Sequence, residues 1–187
     1  MRIIGGRARG LHLAPVGAGD AAAHLRPTSD RVRESIFNLL INGGHGNPVQ
    51  GARVLDLFAG TGALGLEALS RGATHASFVE DGKAALALIK RNIALMRAEA
   101  ETQVLRRDAT QPGAHGGAGF DLVFLDPPYG KGLGEKAIAA CRAGGWLAPG
   151  AVIVWEEGAA PLPPAGLDLL DQRRYGDTHV TLLRMPE

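Results

Sequence analysis

Residues 52–96, ARVLDLFAGTGALGLEALSRGATHASFVEDGKAALALIKRNIALM, decide the fold. They alternate a short apolar run, a glycine-rich turn, a helix-length segment, a second apolar run and a second helix-length segment. Strands that alternate with helices need crossover connections, so the pattern predicts an α/β domain with a mostly parallel sheet and helices on both faces. Working outward, TQVLRR (102–107), FDLVFL (120–125) and AVIVWEE (151–157) read as further strands. LDLLDQRRYGDTHVTLLRM (167–185) reads as a closing antiparallel hairpin that turns at Gly176 and Asp177. Upstream, RPTSDRVRESIFNLLI (26–41) reads as a helix capped by Thr28 or Ser29. Val32, Ile36 and Leu40 form its apolar stripe, with Arg31, Glu34 and Asn38 on other faces.

At 187 residues and 45% hydrophobic, the chain can bury one sizeable core. No apolar run reaches the roughly 20 residues of a membrane helix, and MRIIGGRARG lacks the apolar centre of a secretory signal. A cytoplasmic protein with no membrane association is expected. One cysteine, Cys141, and six scattered histidines leave no basis for an internal disulfide or a metal site. Net charge is only +1, but residues 1–33 carry six arginines against two aspartates, which leaves −3 on the remaining 154 residues. The expected organisation is therefore a basic N-terminal arm (1–25), extended and glycine-punctuated, ahead of a single domain (26–187). Arg2, Arg7 and Arg9 of the arm and Arg26 at the start of the domain are the candidate nucleic-acid contacts, because the planar guanidinium matches phosphate.

Chemistry enters at the turn LDLFAGTGALG. Asp56 stands near a strand end, and Gly60, Gly62 and Gly65 match G-x-G-x-x-G, which lets a ligand approach main-chain amides at a helix N-terminus. Glu80 ends the next strand, where a carboxylate can accept from both ribose hydroxyls. Asp108, after the following strand, is placed to accept from an adenine amino group. An adenosine-containing cofactor is implied, and its identity turns on charge. A nicotinamide dinucleotide would bring a pyrophosphate against Asp56, whereas S-adenosylmethionine would bring a cationic ammonium and sulfonium, so the acid favours S-adenosylmethionine.

The run FDLVFLDPPYGKG (120–132) supplies the second constellation. A residue before proline is held extended, so Asp126 leaves the sheet still extended. Pro127 and Pro128 keep their carbonyls as acceptors but have no N–H to give. Asp126 and the Pro127 carbonyl can take the two hydrogens of an exocyclic amine, leaving its lone pair for displacement at the sulfonium carbon. Tyr129 offers a face on which a base could stack, worth roughly 1–3 kcal/mol.

LDLFAGTGALG with FLDPPYG resembles the amino-methyltransferases that use S-adenosylmethionine on a seven-stranded Rossmann-like sheet. More narrowly, MRIIGGRARG, LRPTSDRVRESIFNLL, DLFAGTGALGLEALSRGA and YGDTHVTLLR resemble the RsmD family, enzymes that methylate N2 of a guanine in 16S ribosomal RNA. The resemblance implies that Asp56, Phe58, Gly60 and Gly62 hold the methionine end of the cofactor, Glu80 the ribose and Asp108 the adenine. It implies that Asp126, Pro127, Pro128 and Tyr129 grip the guanine amine, and that Arg26, Thr28, Asp30 and Arg33 border the cofactor and RNA entrance. The expected partner is 16S RNA within a 30S subunit or assembly intermediate, met by a monomer without a metal. DPPY is shared with enzymes acting on DNA adenine, protein glutamine and other RNAs, so the substrate depends on the N-terminal motifs. VGAGDAAAH (16–24) and QPGAHGGAG (111–119) match no motif of the family. A nicotinamide oxidoreductase and an inert RNA-binding module are the competing readings, separable by calorimetric binding of S-adenosylhomocysteine against NADH.

Overall fold

The computed structural model describes residues 1–17 and 27–187. In chain order its elements are α1 (Asp30–Asn42), β1 (Arg53–Leu57), α2 (Ala63–Ser70), β2 (His75–Glu80), α3 (Lys83–Met96), β3 (Thr102–Arg106), β4 (Phe120–Leu125), α4 (Leu133–Ala143), β5 (Leu147–Glu157), β6 (Asp168–Tyr175) and β7 (Thr178–Arg184). The strands form one seven-stranded sheet in the order β3-β2-β1-β4-β5-β7-β6. β1 to β5 run parallel, while β7 lies antiparallel to β5 and β6 antiparallel to β7. This is the α/β sheet that the sequence implies, and its hairpin pairs Tyr175 with Thr178 around Gly176 and Asp177.

Two apolar layers sandwich the sheet. One gathers Ile36, Phe37 and Leu40 of α1, Leu64 and Leu66 of α2, and Ile89 and Ile93 of α3 against Val54, Phe78 and Phe124. The other sets Ala137, Ile138 and Cys141 of α4 against Leu55, Val123, Ile153 and Trp155. α4 was not among the sequence expectations; its Gly134 lies flat on Trp155, where a Cβ would come within 2.5 Å of the indole ring. β5 begins four residues before the predicted run. α1 begins at Asp30 and is capped by Ser29, one of the two expected caps, whose hydroxyl accepts from the Val32 N–H. QPGAHGGAG packs on Trp146, with the His115 ring stacked 4.6 Å from the indole.

The described part of the expected basic arm lies against the domain. Arg2 pairs with His12 in an isolated antiparallel bridge, and Ile3 and Leu13 are buried in the first apolar layer. The Ile4 and Gly5 amides donate to the Glu67 carboxylate on α2 at 2.9 Å, the Ala14 amide to Asn92 Oδ1 on α3 at 2.8 Å. A backbone so buried needs partners, and two polar side chains on neighbouring helices provide them. Residues 1–14 are thus a strap across α2 and α3. The expected boundary at residue 25, Arg26 and most of the 16–24 loop lie outside the described residues.

Candidate active site

β1 sits between β2 and β4, and the chain direction of successive crossovers reverses there. Such a switch point opens a crevice beyond the carboxyl ends of the strands. Here the crevice is a cavity of about 1400 Å³ lined by residues at or just beyond the carboxyl ends of β1, β2, β3, β4 and β5. Asp56, Phe58, Gly60, Glu80, Asp108, Asp126, Pro127, Pro128, Tyr129 and Thr28 all line it. The sequence-predicted residues from five separate segments therefore meet in one place.

The glycine turn is built around carboxylates. Gly62 adopts a left-handed conformation (φ 78°) as the N-terminal cap of α2, which glycine takes without the cost a side chain would add. Gly60 (φ 57°) donates its N–H to Glu80 Oε2 at 2.9 Å, while Glu80 Oε1 accepts from the Asp81 and Gly82 amides. Glu80 thereby ties the turn to the start of α3. Phe58 takes a left-handed φ of 54° on the cavity wall, strain of about 1–3 kcal/mol of the kind that collects at functional sites. Inside α2, the Gly65 N–H donates to Asp56 Oδ2 at 2.9 Å. An amide of the helix N-terminus is thus already taken by a carboxyl group, where a dinucleotide would need to seat pyrophosphate. Burial, partly offset by the Gly65 hydrogen bond and reinforced by Asp126 and Glu80, holds Asp56 well above the usual carboxylate range. A cation in the cavity would reverse that.

Among the described residues, Asp56, Glu80, Asp81, Asp108, Asp126, Glu156 and Asp177 stand around the cavity, against only Lys83 and Lys131. This balance disfavours a polyanionic cofactor and suits one carrying an ammonium and a sulfonium. Asp108 is exposed and accepts from the Thr110 amide and hydroxyl through Oδ1, which lowers its pKa and leaves Oδ2 for a ligand.

The 126–129 loop leaves β4 as its prolines require. Asp126 Oδ2 accepts from the Thr28 hydroxyl at 3.4 Å, and burial pushes its pKa up to about 7, with Glu157 adding to the rise. Tyr129 is 40% exposed and aligns with the hairpin tip, its hydroxyl 3.3 Å from Thr178 Oγ1. Behind it, Glu157 Oε1 accepts from the Gly130 and Gly158 amides and fixes the loop.

Three expectations change. Arg33 is fully buried and does not line the cavity: it donates to the carbonyls of Thr28 and Arg2 and to Asp30, and pairs with Glu67 at 3.5 Å. Its role is to fix Thr28, and Asp30 likewise serves α1 and Arg33 instead of the entrance. Arg7 forms a bidentate pair with Glu101, and Arg2 lies beside Asp30 at 3.9 Å. Arg7 also donates its amide to the Ser70 carbonyl, at the end of α2 away from the cavity, so Arg2, Arg7 and Arg9 do not line the cavity. Arg9 is exposed and forms no ion pair among the described residues.

Sequence reasoning passed over Glu156, Asp177 and Thr178. Glu156 is 2% exposed on the cavity floor, and the signal for it was present: VWEE is another apolar strand ending on acids. Among the described residues no cluster of three or more His, Cys, Asp or Glu is arranged to hold a metal, and no helix is long and apolar enough to cross a membrane.

Comparisons with known proteins agree with this geometry. The profile of a family described as "Conserved hypothetical protein 95" matches residues 1–184. Ribosomal RNA small subunit methyltransferase D of Escherichia coli K12 is 40% identical over 180 residues, covering 94% of this chain and 85% of that protein. The Haemophilus influenzae protein of the same name is 37% identical over 187 residues, covering 94% and 89%. Among solved structures, yhhF from Escherichia coli superposes with a TM-score of 0.82 at 38% identity, covering 100% of this chain and 98% of that one. SMU.776, solved in complex with SAH, shares the fold at 18% identity, with a TM-score of 0.62 over 82% of this chain and 49% of that one.

Proposed function

The chain belongs to the Conserved hypothetical protein 95 family, the RsmD methyltransferases, and from that premise we propose that it methylates the exocyclic N2 amine of a guanine in 16S ribosomal RNA. The observation that carries the reading is the meeting of Asp126 and Pro127 with the acid-lined glycine turn in one cavity. S-adenosylmethionine supplies the electrophile, a methyl group on a positively charged sulfur. Asp56 and the Gly60–Gly62 turn would hold its methionine end, Glu80 its ribose and Asp108 its adenine.

The chain's own residues must make a poor nucleophile competent, because the guanine N2 lone pair is delocalised into the ring. Accepting both amine hydrogens, at the Asp126 carboxylate and the Pro127 carbonyl, favours a pyramidal nitrogen with a localised lone pair. Tyr129 supports the base from one face, its ring positioned by Gly158 beneath and Thr178 at its tip. Holding reacting atoms about 3–3.5 Å apart is itself worth orders of magnitude in rate. Lys131, exposed and lining the cavity, would meet a backbone phosphate of the RNA. The substrate is taken as 16S RNA in a 30S particle or assembly intermediate, acted on by a monomer in the cytoplasm.

The test offers labelled S-adenosylmethionine with naked 16S RNA and with 30S particles from cells lacking this protein, then maps the modified base. Label recovered as N2-methylguanine at one position is the expected result. Label on another amine would retain the site chemistry and replace the substrate. Binding of S-adenosylhomocysteine without labelling of either RNA would direct the search to DNA adenine or protein glutamine.

A further inference from the structure

Glu156 is a buried carboxyl for which the amine grip has no task. β4 and β5 are parallel neighbours with Leu125 opposite Trp155, so the next residues along each strand, Asp126 and Glu156, lie side by side at the cavity floor. One hydroxyl spans them: Thr28 Oγ1 is 3.4 Å from Asp126 Oδ2, 3.1 Å from Glu156 Oε1 and 3.3 Å from Glu156 Oε2. Among the described residues, Thr28 is the only hydrogen-bond donor to the Glu156 carboxyl group. A buried carboxylate with a single hydroxyl donor is costly unless it gains a proton or a cation.

The charges around it are mostly of its own sign. Asp126 faces it from the loop after β4 and Asp56 from β1, both raising its pKa, while Glu157 is its neighbour on the same strand. Arg33 of α1, already paired with Asp30 and Glu67, offsets them only as the smallest influence, and Tyr129 senses Asp126, Glu156 and Glu157. His179 of β7 stands opposite Glu157 and bonds to the Gly158 carbonyl. Burial first, then Asp126, raises the pKa of Glu156 well above the carboxylate range, in keeping with a group that exchanges a proton.

We propose that Thr28 and Glu156 form the outlet for the proton that methylation forces off the target amine: Asp126 receives it, the Thr28 hydroxyl hands it on, and Glu156 holds it until cavity water removes it. The proposal rests on reading the site as an amine methyltransferase. The amine lone pair forms the new C–N bond, the C–S bond breaks with its electron pair passing to sulfur, and the cationic nitrogen gives one proton to the Asp126 carboxylate. Thr28 takes that proton at Oγ as its own passes to Glu156, so the net change is one proton moved from Asp126 to Glu156 and no further reactant is required. Charge drives the direction. A carboxylate on this buried floor is tolerated while a sulfonium shares the cavity, and it draws a proton once transfer has removed that positive charge. Thr28 and Glu156 touch no reacting atom and are relay and positioning residues.

The first test needs no RNA. Calorimetric titration at pH 7, in two buffers of different ionisation enthalpy, reads the protons released when S-adenosylmethionine binds and when S-adenosylhomocysteine binds. The wild type is expected to release more with the sulfonium ligand. Glu156→Gln, which keeps an acceptor for Thr28 and removes a charge whose burial opposes folding, should at least halve that difference while affinity for S-adenosylhomocysteine stays within threefold. An unchanged difference would overturn the proposal. The second test is single-turnover methyl transfer to whichever substrate the wild type accepts. Glu156→Gln and Thr28→Val should each slow it about 10–100-fold, and the double variant should be no slower than the worse single, as expected of residues acting as one unit. Multiplicative losses would overturn the relay. If the wild type labels no RNA, the substrate reading fails and the calorimetric arm still decides the relay.

Discussion

Replacing Arg33 by methionine separates its structural role from the cofactor role that the sequence suggested. Methionine retains the apolar stem and removes a guanidinium that is fully buried. Four oxygens lose a donor or a countercharge: Asp30 Oδ1 at 2.9 Å, the Thr28 carbonyl at 3.3 Å, the Arg2 carbonyl, and Glu67 at 3.5 Å. Breaking a buried ion pair by removing one partner costs about 3–5 kcal/mol. Glu67 keeps Arg71 Nε at 2.8 Å and the Ile4 and Gly5 amides, so its charge is not stranded and the lower end applies, about 3 kcal/mol. For a chain of this length that is a fall in Tm of roughly 6–12 °C. Urea unfolding at equilibrium and a thermal scan measure it. Calorimetry below the transition should find S-adenosylhomocysteine affinity within about threefold of wild type, since Arg33 does not reach the cavity. A stability loss under about 1 kcal/mol, or a hundredfold loss of affinity in a fully folded variant, would refute the assignment of Arg33 as the strut behind Thr28.

Asp126→Ala should abolish detectable methyl transfer while changing S-adenosylhomocysteine affinity less than threefold; near-normal single-turnover rates would remove the carboxylate from the amine grip. Because burial raises the Asp126 pKa to about 7 and the ionised form is the acceptor, log kcat/KM should climb with pH below about 7 and level off above it. A pH-independent profile from 5.5 to 8.5 would contradict that ionisation. The stability sign runs the other way: the folded pKa lies above the ordinary 3.8, so the contribution of Asp126 is fully present in acid and is lost as pH rises through about 7. Asp126→Asn should therefore be more stable than wild type at pH 8 and lose that margin near pH 4, as chemical denaturation at each pH would show. Lys131→Glu should weaken RNA binding and reduce the salt slope by about one unit or more. Arg7→Glu should do less, because Arg7 is already paired with Glu101 and lies at the far end of α2; equal effects in a filter-binding salt titration would put the RNA across that end as well.

The elements the sequence displayed are those whose signals are local. The strand ends at Leu57, Glu80 and Leu125 follow from apolar runs stopped by glycine, an acid or proline. The hairpin turn at Gly176 and Asp177 follows from its flanking alternation. The N-terminal segment carries no such signal. Its arginines and glycines resemble a solvated arm, and what docks it is Glu67, a charged residue in the middle of α2 whose carboxylate receives the Ile4 and Gly5 amides 63 and 62 positions away. Glu67 is itself fully buried, an arrangement that stands only because Arg33 and Arg71 converge on it from two helices. Nothing within a few residues of Arg33 reports that convergence, so a buried strut and an entrance arginine look alike in one dimension.

The same reasoning explains why the acids of the cavity were only partly legible. Asp56, Glu80 and Asp126 each end an apolar strand singly, and a lone acid at that position is conspicuous. Glu156 shares its strand end with Glu157, and alternation along a strand assigns one of the pair to each face, so neither stands out. Both are in fact buried, Glu157 holding the Gly130 and Gly158 amides and Glu156 facing Asp126 across a shared hydroxyl. Carboxyl groups gathered this closely oppose folding, in keeping with the burial that raises the pKa values of Asp56, Asp126 and Glu156. Such a floor is intelligible only if the working complex brings positive charge onto it and then removes that charge. A cationic methyl donor that becomes neutral on transfer does both, and the acids that first steady the cation are then ready to accept the proton released.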